Sequence, residues 1–233
     1  MASSPRQTLS SLTALALGLA LLLCAASQSS GTSMSSVVTE AFFNGIKNQA
    51  PSSCEGKNFY TRSAFLSAAD SFPGFAHGGT EADGKREVAA FFAHTTHETG
   101  HFCYISEINK ANVFCDPMEQ WPCVPGKKYY GRGPLQISWN FNYGPAGKSI
   151  GVDLLANPDK AAQDPVVSFK TALWIWMNNA HQAMPKGFGA TIRAINGALE
   201  CNGKNTAQMN ARVGYYKQYC QQLGVDPGNN LTC

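Results

Sequence analysis

The most informative stretch of the chain is residues 129–145, Tyr129-Tyr-Gly-Arg-Gly-Pro-Leu-Gln-Ile-Ser-Trp-Asn-Phe-Asn-Tyr-Gly-Pro145. They belong to a segment, 115–147, that is rich in glycine, proline, asparagine and aromatic residues and has no sustained hydrophobic period. We expect an ordered loop there, and long loops in compact domains usually carry function. Flat aromatic faces beside amides and hydroxyls are typical of a sugar-binding site. The candidates are Trp121, Tyr129, Tyr130, Gln136, Ser138, Asn140 and Asn142.

The sequence on either side of this segment predicts a mainly α-helical protein. Residues 85–97 carry Val88, Phe91 and Phe92 at helical spacing. Elsewhere a side chain that can cap a helix precedes apolar residues at the same spacing. These predicted caps are Thr39, Thr61, Asp164, which precedes Pro165, and Asn205.

The N-terminus is typical of a secretory signal peptide. Arg6 precedes an apolar run at 12–24, and small residues follow it. The run is short for a membrane span of about 20 apolar residues, and no cationic stop-transfer cluster follows it. We therefore predict a signal peptide at 1–27, a short flexible segment at 28–36 and one domain at 37–233.

Secretion changes how the cysteines are interpreted. The chain has eight cysteines, and loss of Cys24 with the signal peptide leaves seven, which predicts three disulfides and one free thiol. Cys115 and Cys123 enclose a short segment that contains two prolines, so they are natural partners. Spacing does not determine the other pairs.

Residues 94–107, HTTHETGHFCYISE, hold the densest chemistry, and two interpretations of them compete. The stretch 97–101 matches HExxH, which on a helix places two imidazoles one turn apart and makes the glutamate the general base of a zinc peptidase. Where the metzincin pattern continues with glycine and histidine, this chain has Tyr104 and Glu107. The third ligand is therefore missing. A zinc peptidase would lose its activity in chelator, so full activity there would exclude it.

The second interpretation is a pair of carboxylates. Glycoside hydrolysis needs one protonated acid at the leaving oxygen and one carboxylate that acts on water or on the sugar. Glu98 ends an apolar helical stretch, where burial favours the protonated form that an acid requires. Glu107 follows in a segment that Cys103 ties down. Two glutamates at such a spacing are more often ordinary surface residues, so the spacing alone does not decide the question.

The motifs downstream do decide it. HETG at 97–100, QWPC at 120–123, YYGRGPLQISWNFNYGP at 129–145 and INGALEC at 195–201 resemble family-19 glycoside hydrolases, the plant chitinases. The resemblance covers essentially all of 37–233, and the short loops are similar to the class IV subtype. It implies a mainly α, lysozyme-like glycoside hydrolase domain with long ordered loops and three disulfides. It also implies inverting endo-hydrolysis of β-1,4 linkages between N-acetylglucosamine units of chitin and chito-oligosaccharides.

The resemblance implies a role for each matching residue. Glu98 matches the general acid, Glu107 the general base, and Ser138 a residue that helps hold the attacking water. The positions that match substrate-binding residues are Trp121, Tyr130, Gln136, Asn142 and Asn196. Glu200 and Arg212 match a supporting polar network, together with Asn196. An Arg212–Glu200 pair could set the charge felt by the acid, or could be a plain structural ion pair.

The resemblance also implies the disulfide pairs Cys54–Cys103, Cys115–Cys123 and Cys201–Cys233. Cys220 is then the odd thiol, and its apolar helical setting suits a buried, inert group.

The chain departs from the class IV pattern in one respect. Members of that class often begin with a small cysteine-rich chitin-binding module, whereas here only 28–36, without cysteine, precedes the domain. We therefore expect an enzyme that lacks this module and acts more readily on soluble oligomers than on insoluble chitin.

The expected partner is the sugar substrate alone. A net charge of +3 without a basic run gives no argument for nucleic acid, and we expect no cofactor, no metal, no membrane and a monomer. The implied location is extracellular, in the apoplast or cell wall, with a role in plant defence. Besides the zinc peptidase, the alternative is a catalytically weak chitin-binding or ice-associating defence protein, against which the two glutamates argue.

Overall fold

The computed structural model describes Met1 and residues 33–233, and helices dominate the regular structure of the latter. The helices are α1 (Met34–Val37), α2 (Glu40–Lys47), α3 (Gly56–Phe59), α4 (Arg62–Ala69), α5 (Glu81–Thr99), α6 (Asn140–Ile150), α7 (Lys160–Gln163), α8 (Pro165–Ile175), α9 (Phe188–Glu200) and α10 (Thr206–Gln222). A π-helical turn, Trp176–Ala180, and a 3₁₀ helix, His181–Lys186, connect α8 to α9. The prediction of a mainly α protein is confirmed.

The predicted N-terminal segments are described only in part. Apart from Met1, the signal peptide predicted at 1–27 lies outside the described residues, and so does 28–32. The end of the segment predicted to be flexible lies in α1, where Arg62 donates to the carbonyl of Ser35 at 2.8 Å. No helix within 33–233 has both the length and the apolar character that a membrane span requires.

Helix α5 is the central element of the core. It begins at a capping box, in which Thr80 and Asp83 each accept the backbone N–H of the other. Its middle is fully buried, and its C-terminal cap is Gly100, whose φ of 59° is a left-handed conformation that glycine adopts readily. Aromatic rings from α2, α4, α8 and the turns beside them surround α5 and its own Phe91 and Phe92, mostly edge to face: Phe43, Phe65, Phe75, Phe102, Phe169 and Trp176.

The predicted helix starts are confirmed. Thr39 caps α2, Thr61 caps α4, Asp164 caps α8 and Asn205 caps α10, each by accepting a backbone N–H with its side chain. Helices α6 and α9 have no side-chain cap, and no start signal in the sequence predicted either of them.

Helix α6 corrects the expectation of one loop over 115–147. It contains Gly144, Pro145 and Gly147, which are poor helix formers, so the sequence pattern did not indicate it. Packing requires the glycines: a Cβ on Gly144 would lie 2.4 Å from the ring of Trp121. Tertiary contact therefore overrides local propensity. The remaining loop, 101–139, contains two isolated bridges and otherwise irregular backbone.

The disulfide pairs implied by the resemblance are confirmed as Cys54–Cys103, Cys115–Cys123 and Cys201–Cys233. The first pins the loop after α5 to the turn before α3. Cys220 is a free, buried thiol, and burial raises its pKa to about 11. It is therefore held in the unreactive thiol form at neutral pH.

Gly56 tests the close contact between α3 and the loop after α5. A Cβ there would lie 2.1 Å from the carbonyl oxygen of Phe102 and 2.9 Å from that of Cys103, and backbone cannot easily move aside. We expect Gly56→Ala to lower the free energy of unfolding, measured in urea, by about 1–3 kcal/mol. The matched control is Gly45→Ala in α2, where a Cβ meets nothing within 4 Å. It should leave stability unchanged or raise it by up to about 1 kcal/mol. Equal stability of both variants would contradict this packing.

Candidate active site

A cleft of about 440 Å³ lies between the end of α5 and the long loop. Both predicted carboxylates line it, Glu98 from the last turn of α5 and Glu107 from the loop. Gln136 and Ser138 line it as well. The other lining residues are Tyr104, Ser106, Ile108, Asn109, Phe114 and Gly131. The fold therefore brings both carboxylates and two polar candidates to one surface.

Arg212 holds Glu98 from inside the protein. The Arg212 side chain is 1% exposed, and its Nη2 donates to Oε1 of Glu98. Its Nε and Nη2 also donate to the two oxygens of Glu200 at 2.8 and 2.7 Å. Asn196 donates to Oε1 of Glu200 at 2.7 Å. This network joins α5, the end of α9 and α10.

The buried charges of this network stabilise each other. Burial alone would raise the pKa of Glu200, but the hydrogen bonds and the positive charge of Arg212 outweigh it and lower that pKa. Burial would likewise lower the pKa of Arg212, but its contacts with Glu200 and Glu98 raise it. Because Glu200 neutralises Arg212, Glu98 faces a balanced ion pair and not a lone cation.

Glu107 is fixed by the backbone of the loop. Its N–H donates to the carbonyl of Gly131 at 2.8 Å, and its Oε2 accepts the N–H of Gly131 at 3.1 Å. The preceding residue, Ser106, forms an isolated bridge with Arg132. The two carboxylates are thus held differently, Glu98 by a side chain and Glu107 by main-chain groups.

Arg132 organises this loop, and the sequence analysis did not single it out. It is 2% exposed, and its Nη1 donates to the carbonyls of Lys128 and Tyr130 and to the hydroxyl of Tyr143. Its Nη2 donates to Asp159 at 2.6 Å, and its guanidinium carbon lies 3.7 Å from the ring centre of Tyr130. The sequence does contain a signal for this role, because Arg132 lies between two glycines and close to tyrosines. Aromatic faces and carbonyl oxygens are the partners that a buried guanidinium needs.

The remaining binding candidates do not line the cleft. Tyr130 stacks on Arg132, and Asn196 bonds Glu200, as described above. Asn142 donates to the carbonyl of Ser138 at 2.9 Å. Trp121 lines a separate cavity of about 300 Å³ beside α6.

Two further candidates from the sequence, Tyr129 in the loop and Asn140 at the start of α6, serve the fold. Tyr129 is fully buried in a small apolar cluster with Tyr143 and is not a free aromatic face. Asn140 is also fully buried, and it bonds the backbone of Asp116 and the carbonyl of Trp121. Their polar atoms are used to hold the loop.

The HExxH match does not lie on one continuous helix. Helix α5 ends at Thr99, and Gly100 and His101 have left-handed backbone, so His97 and His101 are not on successive turns of one helix. Both imidazole rings lie near Tyr215, and burial lowers the pKa of both. Across residues 33–233, no three metal-ligating side chains lie together.

Comparison with known proteins shows the family of the chain. The family model described as "Chitinase class I" matches residues 37–186 and 179–233. The chain belongs to the family-19 glycoside hydrolases. The resemblance found in the sequence is thereby confirmed, and so is the enzyme class, a glycoside hydrolase.

Several relatives match most of the chain. It is 77% identical over 201 residues to Endochitinase A of Zea mays, covering 86% of this chain and 72% of that protein. It is 62% identical over 205 residues to Endochitinase EP3 of Arabidopsis thaliana, covering 87% of this chain and 75% of that protein.

Solved structures confirm the fold. The crystal structure of a family GH19, class IV chitinase from Zea mays is 77% identical, with a TM-score of 0.83 over 84% of this chain and 98% of that chain. Chitinase C from Streptomyces griseus is 45% identical, with a TM-score of 0.78 over 84% of this chain and 80% of that chain.

Glu200 tests the electrostatic balance at Arg212. Glu200→Gln removes one of the two carboxylates that balance the positive charge of the buried Arg212. We therefore expect the free energy of unfolding at pH 7 to fall by about 3–5 kcal/mol. The lowered pKa means that Glu200 contributes stability above its ordinary pKa and loses it as pH falls through the lowered value. The difference between wild type and variant should therefore shrink in acid.

The measurement is urea unfolding at pH 7 and near pH 3. The control is Glu119→Gln, at an exposed position, which should change stability little at either pH. A difference for Glu200→Gln that stays constant across this range would contradict the proposed charge balance.

Proposed function

We propose that this enzyme is a secreted endochitinase that hydrolyses β-1,4 linkages between N-acetylglucosamine units with inversion. The observation that carries the proposal is that Glu98 and Glu107 line one cleft from two separate elements, α5 and the loop. An inverting enzyme needs two carboxyl groups far enough apart to admit a water molecule, about 6.5–9.5 Å.

Glu98 is the proposed general acid. It protonates the glycosidic oxygen as the bond to the leaving sugar breaks. Its contact with Arg212 fixes the direction of the carboxyl group, and Glu200 balances the charge of the arginine. Its 21% exposed side chain reaches the cleft from a buried helix, which supports this role.

Glu107 is the proposed general base. Its carboxylate, held at Oε2 by the N–H of Gly131, takes a proton from the water that attacks the anomeric carbon. Ser138 lines the same cleft and is the proposed second partner of that water. The attack occurs on the face opposite the leaving group, so the configuration inverts. The proposed mechanism uses no metal and no cofactor.

Several side chains support a sugar polymer as the substrate. Gln136 and Asn109 offer amides in the cleft, and Tyr104, Ile108 and Phe114 offer apolar surface for the faces of pyranose rings. The relatives named endochitinases support chitin and its oligomers as this substrate. Four residues outside the cleft remain predicted binding residues: Trp121, Tyr130, Asn142 and Asn196. A sugar polymer would have to extend beyond the cleft to reach them.

Secretion completes the proposal. The signal peptide predicted at 1–27 and three disulfides in 37–233 suit an oxidising, extracellular location such as the apoplast or cell wall. We propose that the enzyme acts there as a monomer, in defence against fungi.

Both carboxylates are expected to be essential for turnover. Replacement by the isosteric amide should lower kcat on chitotetraose by about 10²–10⁴-fold for Glu98→Gln and for Glu107→Gln, because each removes one proton transfer. Glu119→Gln, exposed and outside the cleft, is the matched control and should retain wild-type kcat.

The stereochemistry is measured by proton NMR of the first product. The wild type should release the α-anomer before mutarotation. A β-anomeric first product would exclude inversion, and near-normal turnover by Glu98→Gln would exclude the assigned acid.

A further inference from the structure

His94 is a buried imidazole for which the proposed mechanism has no use. It lies on α5 one turn before Glu98 and is fully buried. Its Nδ1 is 3.0 Å from Nη1 of Arg212, and its Nε2 is 2.9 Å from Oγ1 of Thr191. Thr191 in turn donates its hydroxyl to the carbonyl of Phe188 at 2.7 Å.

The chemistry of these contacts determines the proton on His94. A guanidinium has only donors, so Nδ1 of His94 must present a lone pair to Arg212. The proton of a neutral imidazole then lies on Nε2 and is donated to Thr191, whose own proton goes to Phe188. Burial lowers the pKa of His94 well below its ordinary value, and the positive charge of Arg212 lowers it further. Each donor in this series of hydrogen bonds, from Arg212 through His94 and Thr191 to the carbonyl of Phe188, therefore has an acceptor.

His94 occupies the side of Arg212 that the carboxylates leave open. Nε and Nη2 of Arg212 are directed at Glu200 and Glu98, and Nη1 at His94. A planar group held along two edges cannot rotate in its plane. The ring of His94 is itself confined, 5.0 Å from the ring of Phe188 and 5.8 Å from that of Trp176.

We propose that His94 is a positioning residue for the catalytic acid. The relay from the Phe188 carbonyl through Thr191 and His94 holds the guanidinium of Arg212 in the orientation that contacts Glu98. This inference rests on the proposed function, because it takes Glu98 to be the acid. The competing interpretation is that His94 only fills space in the core.

Substitutions at His94 separate these interpretations. His94→Phe keeps an aromatic ring but removes both hydrogen bonds, and we expect kcat on chitotetraose to fall about 10- to 100-fold with little change in KM. Because Glu98 then loses its fixed cation contact, the alkaline limb of the kcat pH profile should move to higher pH. His94→Gln offers one acceptor and one donor, so it should restore kcat to within about threefold of wild type.

Two threonines provide a matched pair that avoids the ring. Thr191 and Thr95 are both fully buried, and each donates its hydroxyl to the carbonyl three residues earlier. Only Thr191 also accepts from His94. Thr191→Val should lower kcat about 3- to 10-fold and shift the same pH limb, whereas Thr95→Val should change neither.

The kcat values and pH profiles of these variants are compared with the activity of Glu98→Gln. If Glu98→Gln is inactive while His94→Phe and Thr191→Val match the wild type in kcat and pH profile, the positioning role is overturned and the proposed function stands. If Glu98→Gln remains active, the proposed function itself fails. Nitrogen-15 NMR of the wild type should show the Nε2–H tautomer of His94 at pH 5–8, and a proton on Nδ1 would overturn the relay.

Discussion

The contact between Arg212 and two carboxylates is the constraint on which the site depends. The three nitrogens of the buried guanidinium of Arg212, on α10, have their partners on α5 and α9, so the three helices meet at one point. Helix α9 breaks its regular backbone to do so: Asn196 has φ of −145° and donates to Glu200. The same contact places Glu98 at the cleft with a fixed orientation. We therefore propose that the Arg212–Glu200 pair has both roles that the sequence left open, a structural ion pair and a control on the charge near Glu98.

A second buried arginine serves the opposite wall of the cleft. Arg132 gathers the carbonyls and tyrosines of the loop, and the bridge from it to Ser106 and the bonds from Gly131 hold Glu107. The long loop has little regular structure, so specific polar contacts must replace the helix and sheet hydrogen bonds that it lacks. Two acidic residues on two different supports can keep a fixed separation while the environment of each is set independently. That arrangement suits a reaction in which one carboxyl group must carry a proton and the other must not.

Local rules predicted the parts of the fold that local chemistry controls. The capped helices begin where a threonine, aspartate or asparagine precedes an apolar stretch, as at Thr39 and Asp164. The disulfides followed from the resemblance to a known family. Helix α6 was not predicted because its glycines are explained by contacts outside the helix: the ring of Trp121 lies against Gly144, and the carbonyl oxygen of Val152 lies against Gly147. Glu98, Glu107, Gln136 and Ser138 were predicted and do meet in the cleft, whereas Arg132 and His94 were missed, because their partners lie across the fold and only tertiary structure reveals them.

Replacement of Arg212 by lysine tests the account most directly. Lysine keeps the positive charge but cannot bond both oxygens of Glu200 and one of Glu98 in a fixed plane. Activity on chitotetraose is measured well below the melting temperature of Arg212→Lys, with near-UV circular dichroism to verify the fold. If Arg212 must hold Glu98 in a fixed orientation, the lysine variant is a folded protein whose kcat is lower by about 10-fold or more, with an altered pH profile. A folded lysine variant with wild-type kcat and pH profile would contradict it, because charge alone would then suffice to prepare Glu98.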